Sequence, residues 1–511
     1  MKQRNCNSQK HHCSRPHLVR LCKDSFFRKY GEVGYLLNQL TAADRLFDEV
    51  GSLFLSVISR EPRDEDEVAR WIADQFVDAP MEELRRDLED FLADLAADGF
   101  ILRGHSESEM DTAEPCFSYG NAQQLMDAKR RLAGQLGADG STEFSDTQTE
   151  LSARFKENPI LYSLQVELTS ACNERCIHCY MPPKRHQQHA DAGMVRRIID
   201  EYAGMGGLSF TFGGGECMLH PDFADLLAYA RSRDLSVSVL SNLTKLDDRL
   251  LAALRDARIS QLQVSVYSMN PDEHDHITKV SGSLSRTLRA VERLVEANVP
   301  VQISCPVMRT NYRSFKNVLE WAQSRGMKAQ SDFIMMARSD FTTDNLSERI
   351  DDEQTVELLA DILESDKQYK EAVEESVDRL DAADEPVCGV GRGTLTIGAD
   401  GNCFPCAGWQ GMKVGNVSTQ SLAEIWKDSE SLGRLRKITK DDFPECRVCP
   451  DRDYCAMCLV RNFNESGGDM MALPKRFCQV ARLNRIEVEK WKENHKSKAA
   501  PGNGDLVFGA H

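Results

Sequence analysis

The stretch Ser163-Leu-Gln-Val-Glu-Leu-Thr169-Ser-Ala-Cys172-Asn-Glu-Arg-Cys176-Ile-His-Cys179-Tyr180 sets a strand-like run directly before three cysteines that fall within eight positions. Thiolates packed this closely point to a metal centre. Three of them give a four-iron cluster only three ligands and leave one iron open to a substrate or cofactor. Zinc would want a fourth ligand close by, and His178 is the candidate. It sits in the two-residue gap between Cys176 and Cys179, however, where it cannot easily reach the same metal.

Outward from this stretch the chain alternates regularly. Strand-like runs cover Ser163–Thr169, Leu208–Phe212, Leu235–Ser241, Gln261–Tyr267, Pro300–Pro306 and Ala329–Met335. Helical patterns lie between them near Val195–Tyr202, Asp222–Ser232, Asp248–Ala257, Ser283–Ala297 and Phe315–Arg325. Six strands with intervening helices predict an α/β fold with a parallel sheet, curled or open, and helices outside. Ligands in such folds sit at the carboxyl ends of strands. The cysteine loop leaves the first strand at that end, and the second strand ends in Thr211-Phe-Gly-Gly214-Gly215-Glu216. Bare backbone at Gly214 and Gly215 admits a ligand closely, and Glu216 can accept from an ammonium or fix the turn.

The C-x3-C-x2-C spacing after the first strand, joined to a Gly-Gly-Glu turn after the second, resembles the radical S-adenosylmethionine superfamily. The resemblance implies a partial (β/α)6 barrel, with a 4Fe-4S cluster on Cys172, Cys176 and Cys179 and cofactor contacts from Gly214, Gly215 and Glu216. Asn242 and Ser265 lie where such enzymes contact the ribose and methionine parts. The reaction implied is reductive cleavage of S-adenosylmethionine to methionine and a 5'-deoxyadenosyl radical, which removes hydrogen from an otherwise inert carbon. Members often carry proline after the glutamate, whereas this chain has Cys217, a thiol with no assigned role.

Eight more cysteines fill the end of the chain: Cys388, Cys403, Cys406, Cys446, Cys449, Cys455, Cys458 and Cys478. Two C-x2-C pairs could form a zinc ribbon. The order of the whole region instead resembles the SPASM domain of many radical enzymes, with one gap of two residues where three are usual. By that resemblance Cys446, Cys449, Cys455 and Cys478 hold an outer auxiliary cluster. Cys388, Cys406 and Cys458 hold an inner one. Some members place a further ligand where Thr394 stands here, so the inner cluster has an open position unless Cys403 fills it. The total expected is three 4Fe-4S clusters.

At 511 residues the chain should hold about three domains. Its 63 basic and 80 acidic residues give a net charge of −17, which repels a phosphate backbone and argues against nucleic acid as a partner. No apolar run approaches the ~20 residues that span a bilayer, and the start, Met1–Cys13, is polar. The expectation is a cytosolic protein without a membrane partner, whose 17 cysteines stay reduced and serve metal rather than disulfides.

The expected organisation is a tail (1–30) carrying Cys6, His11, His12, Cys13 and Cys22, then a small domain (31–107). A linker (108–158) with a helix at Gln123–Leu136 leads into the barrel (159–340). A helical bridge (341–387), with a helical stretch over Asp351–Leu380, precedes the SPASM domain (388–480), and a C-terminal helix and tail (481–511) close the chain. The small domain shows strand-like runs at Tyr35–Leu37 and Arg45–Phe47, three amphipathic stretches, and a strand at Phe100–Leu102. In the third stretch Asp78 can cap, Pro80 suits the first turn, and Leu84, Leu88, Phe91, Leu92 and Leu95 line one face until Gly99.

This is the outline of a winged helix-turn-helix, yet Gly31–His105 carries 18 Asp and Glu against 7 Arg and Lys. That surface suits a basic or apolar peptide rather than DNA. The module resembles the pyrroloquinoline quinone peptide chaperone (PqqD-like), which implies binding of a leader peptide by strand addition, in a groove beside the third helix around Leu84–Leu95. Together the three parts resemble a maturase of ribosomally synthesised precursor peptides. Thioether formation is the reaction expected first, served by a low-potential electron donor such as flavodoxin or ferredoxin. Carbon–carbon or carbon–oxygen crosslinking uses the same parts. Epimerisation would need a hydrogen donor such as Cys217 or Cys305, and a sulfatase-maturase-like enzyme would act on a folded or exported protein.

Overall fold

The computed structural model describes residues 17–76, 80–121, 147–183, 187–365 and 386–496. Cys6, His11, His12, Cys13, the cap Asp78, the stretch Gln123–Leu136 and the second half of the bridge lie outside them. The chain divides into a first unit, through Lys156, and a second that takes nearly all of the rest.

The first unit begins earlier than expected. Strands β1 (Leu18–Leu21) and β2 (Ser25–Tyr30) occupy the segment read as a tail; β3 (Val33–Asn38), β4 (Ala43–Phe47), helix α1 (Glu49–Ser56), β5 (Arg63–Asp64), α2 (Glu65–Ala73), α3 (Met81–Ala97) and β6 (Ile101–Gly104) follow. β2, β3 and β4 form an antiparallel meander. β1 pairs with β6 from Leu18 opposite Gly104 to Leu21 opposite Ile101, and with β5 on its other side. That pairing spans some eighty residues and leaves no local trace for sequence reasoning to find. Asp48 and Asp64 cap α1 and α2 by accepting from backbone amides of the first turn.

The apolar face of α3 does not line a free groove. Leu84, Leu88, Leu92 and Leu95 are buried in the unit's own core with Val19, Leu36, Leu55, Ile72 and Phe100. Nor is the linker bare: helices at Glu107–Ala113 and Thr147–Arg154 fall within it.

The second unit is built on a nine-stranded sheet. Its strands are β7 (Ser163–Thr169), β8 (Ser209–Gly214), β9 (Ser236–Ser241), β10 (Gln261–Ser265), β11 (Val301–Pro306), β12 (Lys328–Asp332), β13 (Thr394–Ile397), β14 (Asn402–Phe404) and β15 (Gly415–Asn416). Their order is β12-β11-β10-β9-β8-β7-β13-β14-β15. β7 with β8, β9 with β10, β10 with β11 and β11 with β12 pair in parallel. Helices Ala192–Gly204, Phe223–Ser232, Asp248–Asp256, Ser283–Glu296 and Phe315–Ser324 connect them.

The alternation along β7 to β11 sorts the two faces. Leu164, Val166, Phe210, Phe212, Val237, Val239, Leu262, Val264, Val301 and Ile303 are buried, while the positions between them are mostly half-buried and polar. From the cysteine-rich end, β13 adds to β7 in parallel and starts an antiparallel run with β14 and β15. The final helix starts at Lys475 rather than near residue 481, so Cys478 lies in its first turn. No helix among the described residues is long and apolar enough to cross a membrane.

Two outcomes follow from the first unit. Leu92→Ala should lower its stability by about 2–5 kcal/mol, read as faster hydrogen exchange of the β1 amides. Cys22 is buried, and burial, reinforced by the charge of Glu114, pushes its thiol up to about 12. Native-state alkylation at mildly alkaline pH should therefore label the exposed Cys116 and spare Cys22 until the unit unfolds.

Candidate active site

The site grows from the carboxyl end of β7. Between Glu167 and Thr169 the register against β8 slips, and the Thr169 carbonyl accepts from the Gly215 amide at 2.8 Å. The loop that follows, Ser170 to Tyr180, is braced along its length. Ser170 N–H donates to Gln188 O, Arg175 N–H to Thr278 O at 2.9 Å, and Ile177 N–H to Ile277 O at 3.0 Å. Arg338 donates from Nε to Cys179 O at 3.2 Å and pairs with Asp344.

Cys172, Cys176, Cys179, Gly214 and Gly215 line a single cavity of about 510 Å³, with Arg175, His276, Lys279, Arg338 and Glu348 also on its wall. A Cβ at Gly214, where φ is +124°, would meet Thr169 O at 2.3 Å, so only bare backbone fits. Burial pushes Cys172 up to about 11 and Cys176 well above the usual thiol range; the charge of Glu174 pushes both the same way. The donor set fits an iron–sulfur cluster: three thiols from one loop face an open space beside a cradle of backbone. His178 turns to the Tyr267 ring, 4.9 Å away, with Nε2 buried and unpartnered, and burial lowers its pKa to about 4. The wall of the cavity carries the three cysteines and not His178.

Glu216 is buried at the turn that follows β8. It is 1% exposed, with its carboxylate accepting from Asn242 N–H at 2.7 Å, Ser241 Oγ at 2.8 Å and Met218 N–H at 3.0 Å. The Asn242 side chain is tied to the cysteine loop, its Nδ2 donating to Asn173 Oδ1 at 3.0 Å. Ser265 ends β10 on the polar face. Asn242, Ser265 and Glu216 do not form part of the cavity wall. Cys217 and Cys305 are fully buried, the first donating to Leu240 O and the second to Tyr267 O. Neither thiol faces the cavity as a hydrogen donor would.

The other cysteines gather into two sets. Burial pushes Cys406 up to about 12, and the charges of Cys458 and Cys388 add to it. Burial pushes Cys455 up to about 11, with Cys478, Cys446 and Cys449 adding to it. Cys403, in β14, belongs to neither set. Its charged neighbours are Asp400 and Lys413, and its thiol faces the carbonyl of Gly401. Sequence reasoning missed Asn173, Arg338, Tyr267 and the bond from Gln410 Nε2 to buried Glu167 at 2.7 Å. Of these only Tyr267 carried a signal, two places beyond Ser265 on the same alternation.

Comparison with known proteins bears on this geometry. Residues 166–322 match the radical SAM superfamily, residues 388–450 the SPASM iron–sulfur cluster-binding domain, and residues 46–101 coenzyme PQQ synthesis protein D (PqqD). The chain carries a radical SAM, a SPASM and a PqqD domain. An AdoMet-dependent heme synthase of Methanosarcina barkeri is 28% identical over 59% of this chain and 92% of its own length. A PqqA peptide cyclase of Granulibacter bethesdensis is 25% identical over 57% of this chain and 80% of its own. Streptococcus suis SuiB, solved with its precursor peptide SuiA, has a similar fold, with a TM-score of 0.58 and 14% identity over 90% of this chain and all of that one.

The radical SAM domain's cradle makes a direct test. Gly214→Ala should weaken S-adenosylmethionine binding about tenfold or more, since backbone strain of this kind costs 1–3 kcal/mol. Equilibrium dialysis against unchanged iron content would read it.

Proposed function

We propose that this protein is a maturase that modifies a ribosomally synthesised precursor peptide, the thioether between a cysteine sulfur and a carbon being the bond formed. The observation that carries the reading is the presence on one chain of a PqqD domain and a cavity where Cys172, Cys176 and Cys179 face Gly214 and Gly215. When bound, S-adenosylmethionine and the cluster supply the radical that removes hydrogen from the peptide. The chain's own residues hold the loop and exclude bulk. Gly214 and Gly215 admit the cofactor, Glu216 and Asn242 fix the turn, and Arg338 secures Cys179 O.

The first unit, from Leu18 on and not only 31–107, is read as a winged helix that takes the leader on a strand edge, β4 being one end of its meander. The second unit is read as a partial (β/α)6 barrel. Cys388, Cys406 and Cys458 are proposed as the inner auxiliary site and Cys446, Cys449, Cys455 and Cys478 as the outer one. With Cys403 turned away, the inner set has three cysteines, and a substrate thiolate as the fourth ligand of a cluster held there would favour the thioether. A soluble low-potential carrier such as flavodoxin or ferredoxin is the proposed electron donor.

The heme synthase relatives raise a tetrapyrrole substrate instead. The polar face of the sheet supports the peptide: Gln165 lies beside Thr211, Gln263 beside Gln302 and Ser304 beside Gln330, neutral amides and hydroxyls suited to peptide groups rather than to a flat apolar ring.

Anaerobically reconstituted protein should hold about twelve irons per chain, falling to about eight, with loss of cofactor cleavage, when Cys172, Cys176 and Cys179 become alanine. Stoichiometric zinc with little iron would defeat the enzyme reading. The precursor should lose two hydrogen atoms by mass spectrometry, and removing its leader should cut kcat/KM by about a hundredfold. Leader-independent modification would favour the sulfatase-maturase-like reading.

A further inference from the structure

Tyr267 stands behind the cysteine loop, 4% exposed, two residues past the end of β10. Its hydroxyl lies 3.7 Å from Cys176 Sγ, within the reach of a hydrogen bond to sulfur. The ring is held from two sides, by His178 at 4.9 Å and His274 at 5.3 Å between centroids. His274 is itself anchored through Nδ1 to Ser283 Oγ at 3.0 Å. Ile277 and Met308 pack with Tyr267 in one apolar cluster against Cys176 and Ile177. The phenol is therefore buried, rigid and aimed at one particular thiol of the three.

A hydrogen bond to a cluster sulfur stabilises the more negative, reduced state more than the oxidised one, and such bonds are among the levers that set a cluster's potential. We infer that Tyr267 is a positioning residue that raises the reduction potential of the cofactor-cleaving cluster by donating to Cys176, easing the one-electron reduction on which S-adenosylmethionine cleavage depends. This rests on the cluster assignment proposed above. The electron comes from the external low-potential carrier and goes to the cluster, while the phenol keeps its proton throughout.

The test is an electron paramagnetic resonance redox titration of the reconstituted full chain and its Tyr267→Phe variant, with iron and sulfide measured on both. Phenylalanine keeps the ring between His178 and His274 and removes only the donor. At the wild-type midpoint the variant's reduced-to-oxidised ratio should fall about threefold, a fraction of the strength of a charge-assisted bond. An unchanged ratio at equal iron content would overturn the inference while leaving the cluster in place. Wild-type protein without iron would overturn both. If the variant fails to assemble, 3-fluorotyrosine at position 267 decides the matter: its more acidic hydroxyl donates more strongly and should raise the ratio, and no change refutes the role.

Discussion

The carbonyl oxygen of Thr169 receives the amide of Gly215 at the point where β7 and β8 slip out of register, and the rest of the site depends on that crossing. It leaves no room for a side chain at Gly214 and turns Glu216 inward. A buried carboxylate is costly unless its charge is matched by donors, and three converge on this one from Ser241, Asn242 and Met218. Asn242 then reaches across to Asn173, so the end of β9 is tied to the cysteine loop through the same turn. One crossing of backbone thus sets the cradle, the carboxylate and the near side of the thiol loop.

The far side of the loop has a separate support. The helix Pro271–Thr278 accepts the amides of Arg175 and Ile177 on its last carbonyls, groups that a helix end leaves without partners of its own. Asp275 fastens that helix to the next by accepting from Ser283 Oγ and Leu284 N–H. The turn thus braces one side of the loop that carries the three thiols, and this helix the other.

The legibility of the second unit in the sequence has a local cause. Strands β7 to β11 each bury an apolar face and run beside helices with stripes of their own, so period and length mark them without knowledge of partners, whereas β12 is largely exposed. Where partners decide, the reading failed. Leu18–Leu21 is four residues long and becomes a strand through β5 and β6, both far along the chain. The apolar stripe of α3 was visible, but whether it faced a ligand or its own core depended on those unseen strands. Cys403 and Cys406 look alike as a C-x2-C pair, and only the pairing of β14 with β13 and β15 buries one thiol away from the other cysteines. For Glu216 the residues allowed two roles, and the donors that meet its carboxylate, from Ser241, Asn242 and Met218, come from elements whose positions the local sequence does not give.

The two outer thiol sets carry a constraint that spacing alone imposes. Cys455 belongs to one set and Cys458 to the other, yet they are three residues apart, a chain reach of about 10–11 Å at full extension. Whatever the two sets hold must therefore be close neighbours. Cys388, Cys406 and Cys458 are half-buried, as are Cys446, Cys449 and Cys455, and only Cys478 of the second set is exposed. A bond formed by removing hydrogen and closing on a thiolate leaves one electron to discharge. On the function proposed above, redox sites at these two neighbouring sets, one of which includes the exposed Cys478, would give that electron a short path to the surface.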